Sequence, residues 1–94
     1  MRIDKYLKLT RLIKRRTVAK ELLDRGIFLV NDRVAKPSTE INVGDVLYLP
    51  LGRHKLTVKV LKVVDHATKE TAHDLYEVIK DEISKETRDD FSEE

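Results

Sequence analysis

The sequence predicts an α+β fold in which two short N-terminal helices pack on a small antiparallel sheet, followed by a short C-terminal extension. Three observations support this prediction. Apolar residues recur at helical spacing through the first 25 residues, a hairpin signal lies at Asn31 and Asp32, and a long run of alternating residues begins near Lys55. With 94 residues, the chain can form one domain around a single modest core.

The two helices are predicted from the spacing of apolar side chains. The second is expected from about Thr17 to Arg25, and Gly26 follows it as a residue that tolerates positive φ. In the first helix, Leu12 and Ile13 continue the apolar content, and four earlier residues share one face: Ile3, Tyr6, Leu7 and Thr10.

The strands are predicted from turn residues and period-2 alternation. The stretch IFLVNDRVAK places two β-favouring runs around Asn31 and Asp32, which tolerate the left-handed conformations of a tight hairpin. After a KP stop and a GD turn, the stretches VLYLP and KLTVKVLKVVD flank a short GRH connection. In the later stretch, Leu56, Val58 and Val60 share the face directed at the core.

The C-terminal third leaves two interpretations open. Residues 66–80 form either a helical turn followed by a short strand or one amphipathic helix, because the segment LYEVI suits both periods. Residues 81–94 are acidic and nearly free of apolar side chains, so we expect a disordered tail there. The domain itself is then expected to span residues 1–65.

Charge is distributed unevenly along the chain. Residues 1–62 carry 15 Lys or Arg against 6 Asp or Glu, whereas residues 63–94 carry 4 against 11. A basic body with an acidic tail indicates a polyanionic partner for the body. Composition alone is equally compatible with charges that only keep a small domain in solution.

Several classes of function are disfavoured. The chain has no cysteine, and therefore no disulfide framework or thiolate metal site. It also has no apolar run of about 18 residues and no signal-peptide core, so we expect a cytoplasmic protein with no membrane partner. His54, His66 and His73 lack carboxylates at ligand or triad spacing. We therefore predict no catalytic, metal or cofactor site.

Short motifs follow one another in a particular order over roughly residues 1–50. In chain order they are Arg2-Ile3-Asp4 with Leu7, Arg16-Thr17 followed by Ala19, Leu22 and Leu23, then Gly26, Val30-Asn31, Lys36-Pro37 and Gly44-Asp45-Val46. No single motif is specific, but their order and spacing together resemble the S4 domain, an RNA-binding module. The sequence departs from the usual pattern of that domain by having LIKRR between the helices and Arg15 where a capping serine is expected, which leaves Thr17 as an alternative cap.

The resemblance implies that the two helices and the adjoining loop contact RNA. Arginine suits this role because its planar guanidinium meets phosphate bidentately and stays charged. Asp4 is expected to orient Arg2 or Arg16 through an ion pair. His54 is a further candidate, whereas Tyr6 and Phe28 lie in apolar patterns that favour core packing over base stacking. The candidate RNA-binding residues, expected to form one cationic patch, are Arg2, Asp4, Lys5, Arg11, Lys14, Arg15, Arg16 and Lys36.

The stand-alone S4 proteins include the fifteen-kilodalton heat-shock protein and a group that acts in bacterial ribosome quality control. The GRHKLTVKVL and KETAHDLYEV segments and the short acidic end are most similar to the second group. That resemblance implies a non-catalytic protein that binds rRNA and peptidyl-tRNA on obstructed large ribosomal subunits, and we expect this protein to be a monomer. It would support template-free tailing of the stalled nascent chain by a NEMF-type tailing factor on the same particle.

Two other functions remain open from the residues. One is a generic small RNA- or DNA-binding regulator with no role in ribosome rescue. A helix-turn-helix DNA contact is disfavoured because Glu21 and Asp24 lie on the exposed side of the second helix. The other is a protein-only adaptor that uses the acidic tail.

Overall fold

The structure, a computed structural model, describes residues 1–83, and the remaining segment 84–94 lies outside the described residues. The predicted α+β class is confirmed. The described chain forms two helices, five strands and one short 3-10 turn. In chain order these are α1 (Ile3–Leu9), α2 (Arg16–Asp24), β1 (Leu29–Val30), β2 (Arg33–Val34), β3 (Val46–Leu51), β4 (His54–Val60), the 3-10 turn (Ala72–Leu75) and β5 (Tyr76–Ile83).

All neighbouring strands of the sheet are antiparallel, in the order β2-β1-β3-β4-β5. The predicted β1–β2 hairpin is confirmed, because Asn31 and Asp32 both have left-handed backbone angles, with φ of 51° and 69°. This pair of positive angles matches the right-handed twist of a two-residue hairpin. A bulge between Thr57 and Val58 shifts the β4–β5 register.

Helix α1 is shorter than its apolar pattern suggested. It ends at Leu9, Thr10 caps it, and Arg11 adopts a left-handed conformation with φ of 62°. Leu12 and Ile13 therefore belong to the connection between the helices, although Ile13 is still buried. Arg11 therefore lies just past α1, at the residue where the chain turns.

Helix α2 begins at Arg16, and Arg15 occupies the N-cap position without a side-chain capping bond. The alternative with Thr17 as cap and a later start was therefore wrong. No side chain caps the first turn of α2. The position of this turn therefore depends more strongly on the tertiary contacts of Arg16 described below.

Of the two interpretations of the C-terminal segment, a turn followed by a strand is the observed one. Strand β5 pairs with β4 along its length, and Asp81, Glu82 and Ile83 lie opposite Leu56, Lys55 and His54. The strand thus continues three residues past the expected end of the extension, because β4 is long enough to offer backbone partners there.

Both helices cover one face of the sheet, and the core fills the space between them. The helices contribute Ile3, Tyr6, Leu7, Ala19 and Leu23 among other buried residues. The inner face of β3 and β4 contributes Leu47, Leu49, Val58 and Val60. Tyr6 and Phe28 are fully buried, as the apolar patterns indicated. Among residues 1–83, no helix is long and apolar enough to span a bilayer.

The connection from β4 to β5 runs back across α1. The Tyr6 hydroxyl donates a 2.6 Å hydrogen bond to the Leu75 carbonyl, which also accepts from the backbone N–H of Leu61. Burial, with a smaller contribution from Tyr76, raises the pKa of the Tyr6 hydroxyl well above its usual value. Tyr6 therefore stays protonated and fastens the connection to the helix.

Candidate nucleic-acid interface

A fully buried carboxylate, Asp4, lies at the centre of the predicted RNA-binding residues. Two arginines donate hydrogen bonds to it, one close to it in sequence and one from the start of α2. Arg2 contacts it through Nη2 to Oδ2 at 3.2 Å and Nε to Oδ1 at 3.3 Å. Arg16 contacts it through Nε to Oδ2 at 3.3 Å and Nη2 to Oδ1 at 3.4 Å. The expected ion pair of Asp4 with Arg2 or Arg16 is thus formed with both, and we name these three residues the arginine cluster.

Both carboxylate oxygens of Asp4 accept hydrogen bonds from several donors. In addition to the two guanidinium groups, the backbone N–H of Lys5 donates to Oδ1 at 2.8 Å. A buried carboxylate needs this many donors to offset the cost of leaving water. The two arginine side chains, in contrast, are 44% and 41% exposed, so both guanidinium groups reach the surface. The cluster therefore presents two fixed cations and hides the anion that holds them.

The loop that carries Lys36 is tied to the start of α1. The backbone N–H of Ile3 donates to the Thr39 carbonyl at 2.8 Å, and that of Asp4 donates to the Pro37 carbonyl at 3.4 Å. Within the loop, the Lys36 N–H donates to the Thr39 hydroxyl at 2.8 Å. These bonds place Lys36 on an ordered turn beside the arginine cluster.

The other predicted residues lie on either side of the helix connection. Lys5 Nζ is 4.0 Å from Asp65 Oδ1, a long, exposed pair of little energetic weight. Arg15 is exposed at the N-cap of α2. Arg11 and Lys14 line a separate groove past the C-terminal end of α1. The structure therefore joins Arg2, Asp4 and Arg16 by direct contact and places Arg11 and Lys14 apart from them, in the connection between the two helices.

Two cations that the sequence did not assign to the site line the same groove, Lys8 and Lys69. Lys8 continues the three-residue spacing of Arg2 and Lys5 along α1, which was the available signal. No local signal pointed to Lys69, because only the return of the β4–β5 connection brings it to α1. His54 pairs with Asp81 across β4 and β5 at 3.2 Å. Within residues 1–83, no three His, Asp or Glu side chains gather where they could hold a metal ion.

The fold and the arginine cluster together define a class of protein. Two short helices, a hairpin and a loop hold paired arginines at the surface around one buried aspartate. The sequence model of the S4 domain matches residues 1–47, the segment that contains all of these elements.

Whole-chain comparisons extend this assignment beyond the matched segment. The RQC P-site tRNA stabilizing factor of Listeria monocytogenes is 47% identical over 88 residues, covering 94% of this chain and 96% of the relative. The protein of the same name from Streptococcus pneumoniae is 49% identical over 81 residues, covering 86% and 92%. The trimeric structure of Heat Shock Protein 15 from Vibrio cholerae matches with a TM-score of 0.78 at 29% identity, covering 83% and 80%. The chain belongs to the S4 domain family, in the group of RQC P-site tRNA stabilizing factors.

Proposed function

We propose that this protein binds obstructed large ribosomal subunits through rRNA and peptidyl-tRNA and holds that tRNA during ribosome quality control. The observation that carries the proposal is the arginine cluster, in which one buried carboxylate orients two half-exposed guanidinium groups. The names of the relatives, which refer to stabilizing P-site tRNA, support the choice of tRNA as a ligand.

The cluster suits phosphate for a physical reason. A free arginine loses side-chain conformational entropy when it binds, but Arg2 and Arg16 are already held by Asp4. Their remaining N–H groups are available to a phosphate, and guanidinium–phosphate hydrogen bonds are charge-assisted. RNA phosphates would also neutralise the excess cations of the first 16 residues, which repel one another in the free protein.

In this proposal the protein has no catalytic role. It positions the tRNA while a NEMF-type tailing factor on the same particle extends the stalled chain, and it acts as a cytoplasmic monomer. Arg2 and Arg16 make the central contacts, and Asp4 orients them without touching phosphate. The surrounding phosphate contacts come from Lys5, Arg11, Lys14, Arg15 and Lys36.

Co-sedimentation with purified large subunits, with and without peptidyl-tRNA, tests the proposal. We expect wild type to be retained on the particle that carries peptidyl-tRNA and Arg2→Ala and Arg16→Ala to be lost from it. Arg16→Lys keeps a cation beside Asp4 but removes the planar fork, so it separates phosphate recognition from folding. Lys59→Ala is the matched control, since Lys59 is exposed on the face of the sheet opposite the helices.

Three outcomes would contradict the proposal. Equal retention of all variants would remove the arginine cluster from recognition. Binding that ignores peptidyl-tRNA, together with equal affinity for unrelated RNA or duplex DNA, would favour a generic nucleic-acid-binding regulator. If about five phosphates are neutralised, log affinity should fall against log salt with a slope of about −3.5 to −4.5, and a flat dependence would remove the charge argument.

A further inference from the structure

A second cationic surface lies beyond the C-terminal end of α1. It is a groove of about 460 Å³ lined by Lys8, Leu9, Arg11, Lys14, Ala67 and Lys69. Four of the six lining side chains are cations, two are apolar, and none is an acid or an amide. The groove therefore offers hydrogen-bond donors and apolar contact, but no acceptor side chain.

One wall of the groove comes from the β4–β5 connection, outside the segment that matches the S4 domain. Ala67 is partly buried against the core, which anchors this wall. Next to it, Thr68 and Thr71 bond reciprocally: the Thr68 N–H donates to the Thr71 hydroxyl at 2.9 Å and the Thr71 N–H to the Thr68 hydroxyl at 3.2 Å. Lys69 therefore projects from an ordered turn.

The part of the groove that follows α1 contains an arginine with a strained backbone. Arg11 has φ of 62° in the position after a helix where glycine or asparagine is favoured. The Arg11 side chain is not needed to cap α1, because carbonyl groups of the last turn already accept hydrogen bonds from other groups of the protein. The Lys8 carbonyl accepts from the Arg11 backbone N–H at 3.0 Å, and the Leu7 carbonyl accepts from the Thr10 hydroxyl at 2.9 Å. A strained, exposed cation is characteristic of a position kept for binding.

The four cations also differ from Arg2 and Arg16 in their pairing. Among residues 1–83, no carboxylate lies within 4.0 Å of the charged groups of Lys8, Arg11, Lys14 or Lys69. An anion that enters the groove would relieve their mutual repulsion.

We propose that this groove binds the sugar–phosphate backbone of RNA as a second anchor, with Lys8 and Lys69 as phosphate contacts. The inference rests on the proposed function and adds residues from outside the S4 segment to the interface. The proposal commits to the backbone rather than the bases because three of the four cations are lysines, whose ammonium groups meet phosphate as point charges, and most contacts of Lys and Arg with nucleic acids go to phosphate. From Arg2 to Lys8 the distance along the axis of α1 is about 9 Å, so one strand can reach both anchors.

The test uses fluorescein-labelled tRNA as the probe and measures its affinity by anisotropy over a salt series. Lys8→Gln and Lys69→Gln remove one charge each from exposed positions, so folding is expected to be unaffected. Each should weaken binding about three- to tenfold and reduce the magnitude of the salt slope by about 0.7 to 1. Lys59→Gln makes the same charge change on the opposite face of the sheet and should change affinity by less than about twofold.

The outcomes separate the groove from the arginine cluster. If Lys8→Gln and Lys69→Gln match Lys59→Gln while Arg16→Ala loses binding, the second anchor is refuted and the proposed function stands. If wild type does not bind the tRNA at all, the second anchor fails, whereas the proposed function is decided separately by co-sedimentation with large subunits that carry peptidyl-tRNA. The same affinities can be measured with labelled RNA duplexes of different sequence. If Lys8→Gln and Lys69→Gln weaken binding to all of them alike, backbone contact is supported, whereas a weakening confined to one sequence overturns it.

Discussion

Arg16 Nε lies 3.3 Å from Asp4 Oδ2, so the first residue of α2 is joined to the first turn of α1. Because α2 has no side-chain cap, this contact is one of the features that set the position of its N-terminus. The same contact orients the guanidinium that we propose to meet RNA. Stability and recognition therefore depend on one buried carboxylate, and this relationship can be tested.

Replacing Asp4 with asparagine should weaken RNA binding even though it makes the protein more positive. Without the carboxylate charge, the two guanidinium groups lose their common partner and their fixed orientation. We expect about 1–3 kcal/mol less stability, below the usual cost of breaking a fully buried pair because both arginines are part-exposed. Denaturant unfolding and anisotropy with labelled tRNA measure the two effects.

Asp24→Asn is the matched control for this change, because Asp24 is exposed on α2. If net charge alone governed binding, both variants would bind RNA more tightly. A tighter complex with Asp4→Asn would therefore contradict the role of Asp4 in orienting the arginines.

Replacing Tyr6 with phenylalanine should remove the bond that ties the β4–β5 connection to α1. The expected loss is modest, about 0.5–1.5 kcal/mol, because the Leu75 carbonyl still accepts from the Leu61 N–H. The same change at half-buried Tyr48 is the control, and thermal unfolding at neutral pH is the measurement. No difference between the two variants would show that the Tyr6 bond contributes nothing.

The pH dependence of the Tyr6 contribution has a definite sign. Burial raises the pKa of Tyr6 in the folded protein, whereas the unfolded chain titrates near the ordinary tyrosine pKa of about 10. Its contribution is therefore fully present below about pH 10 and is lost as pH rises further. The stability difference between wild type and Tyr6→Phe should shrink as the pH rises above about 10, and a difference that grows would reverse this argument.

Replacing Arg11 with glycine should stabilise the protein and weaken its binding to RNA. Glycine adopts positive φ without the Cβ conflict, and after the larger entropy of the unfolded chain is subtracted we expect a gain of about 0.5–1 kcal/mol. The lost cation should weaken tRNA binding about three- to tenfold. Arg11→Ala separates the two effects, since it removes the charge but keeps the strain. A gain in stability with Arg11→Ala equal to that with Arg11→Gly would show that backbone strain is not its source.

Local chemistry made much of the fold predictable. The Asn31-Asp32 hairpin, the stop at Gly26 and the burial of Tyr6 depend on backbone preferences and on apolar periodicity, which neighbouring residues in sequence decide. The pairing of Asp4 with Arg2 was similarly accessible, because the two residues are two positions apart. The end of α1 could not be predicted in this way. Leu12 and Ile13 continue the apolar pattern of a helix, although the chain turns before them, at Arg11.

The sequence by itself determined the α+β class, the helix pair, the hairpin and the excess of cations at the N-terminus, because each follows from contacts or propensities within a few residues. Tertiary structure decided that residues 76–83 form a strand. Their sequence is compatible with helical and with strand periodicity, and backbone hydrogen bonding to β4 selects the strand. It also decided that Lys69 lines the same groove as Lys8 and Arg11. That juxtaposition depends on the β4–β5 connection packing back against α1, and the free energy that holds it there comes from contacts between residues more than 60 positions apart, as in the Tyr6–Leu75 bond.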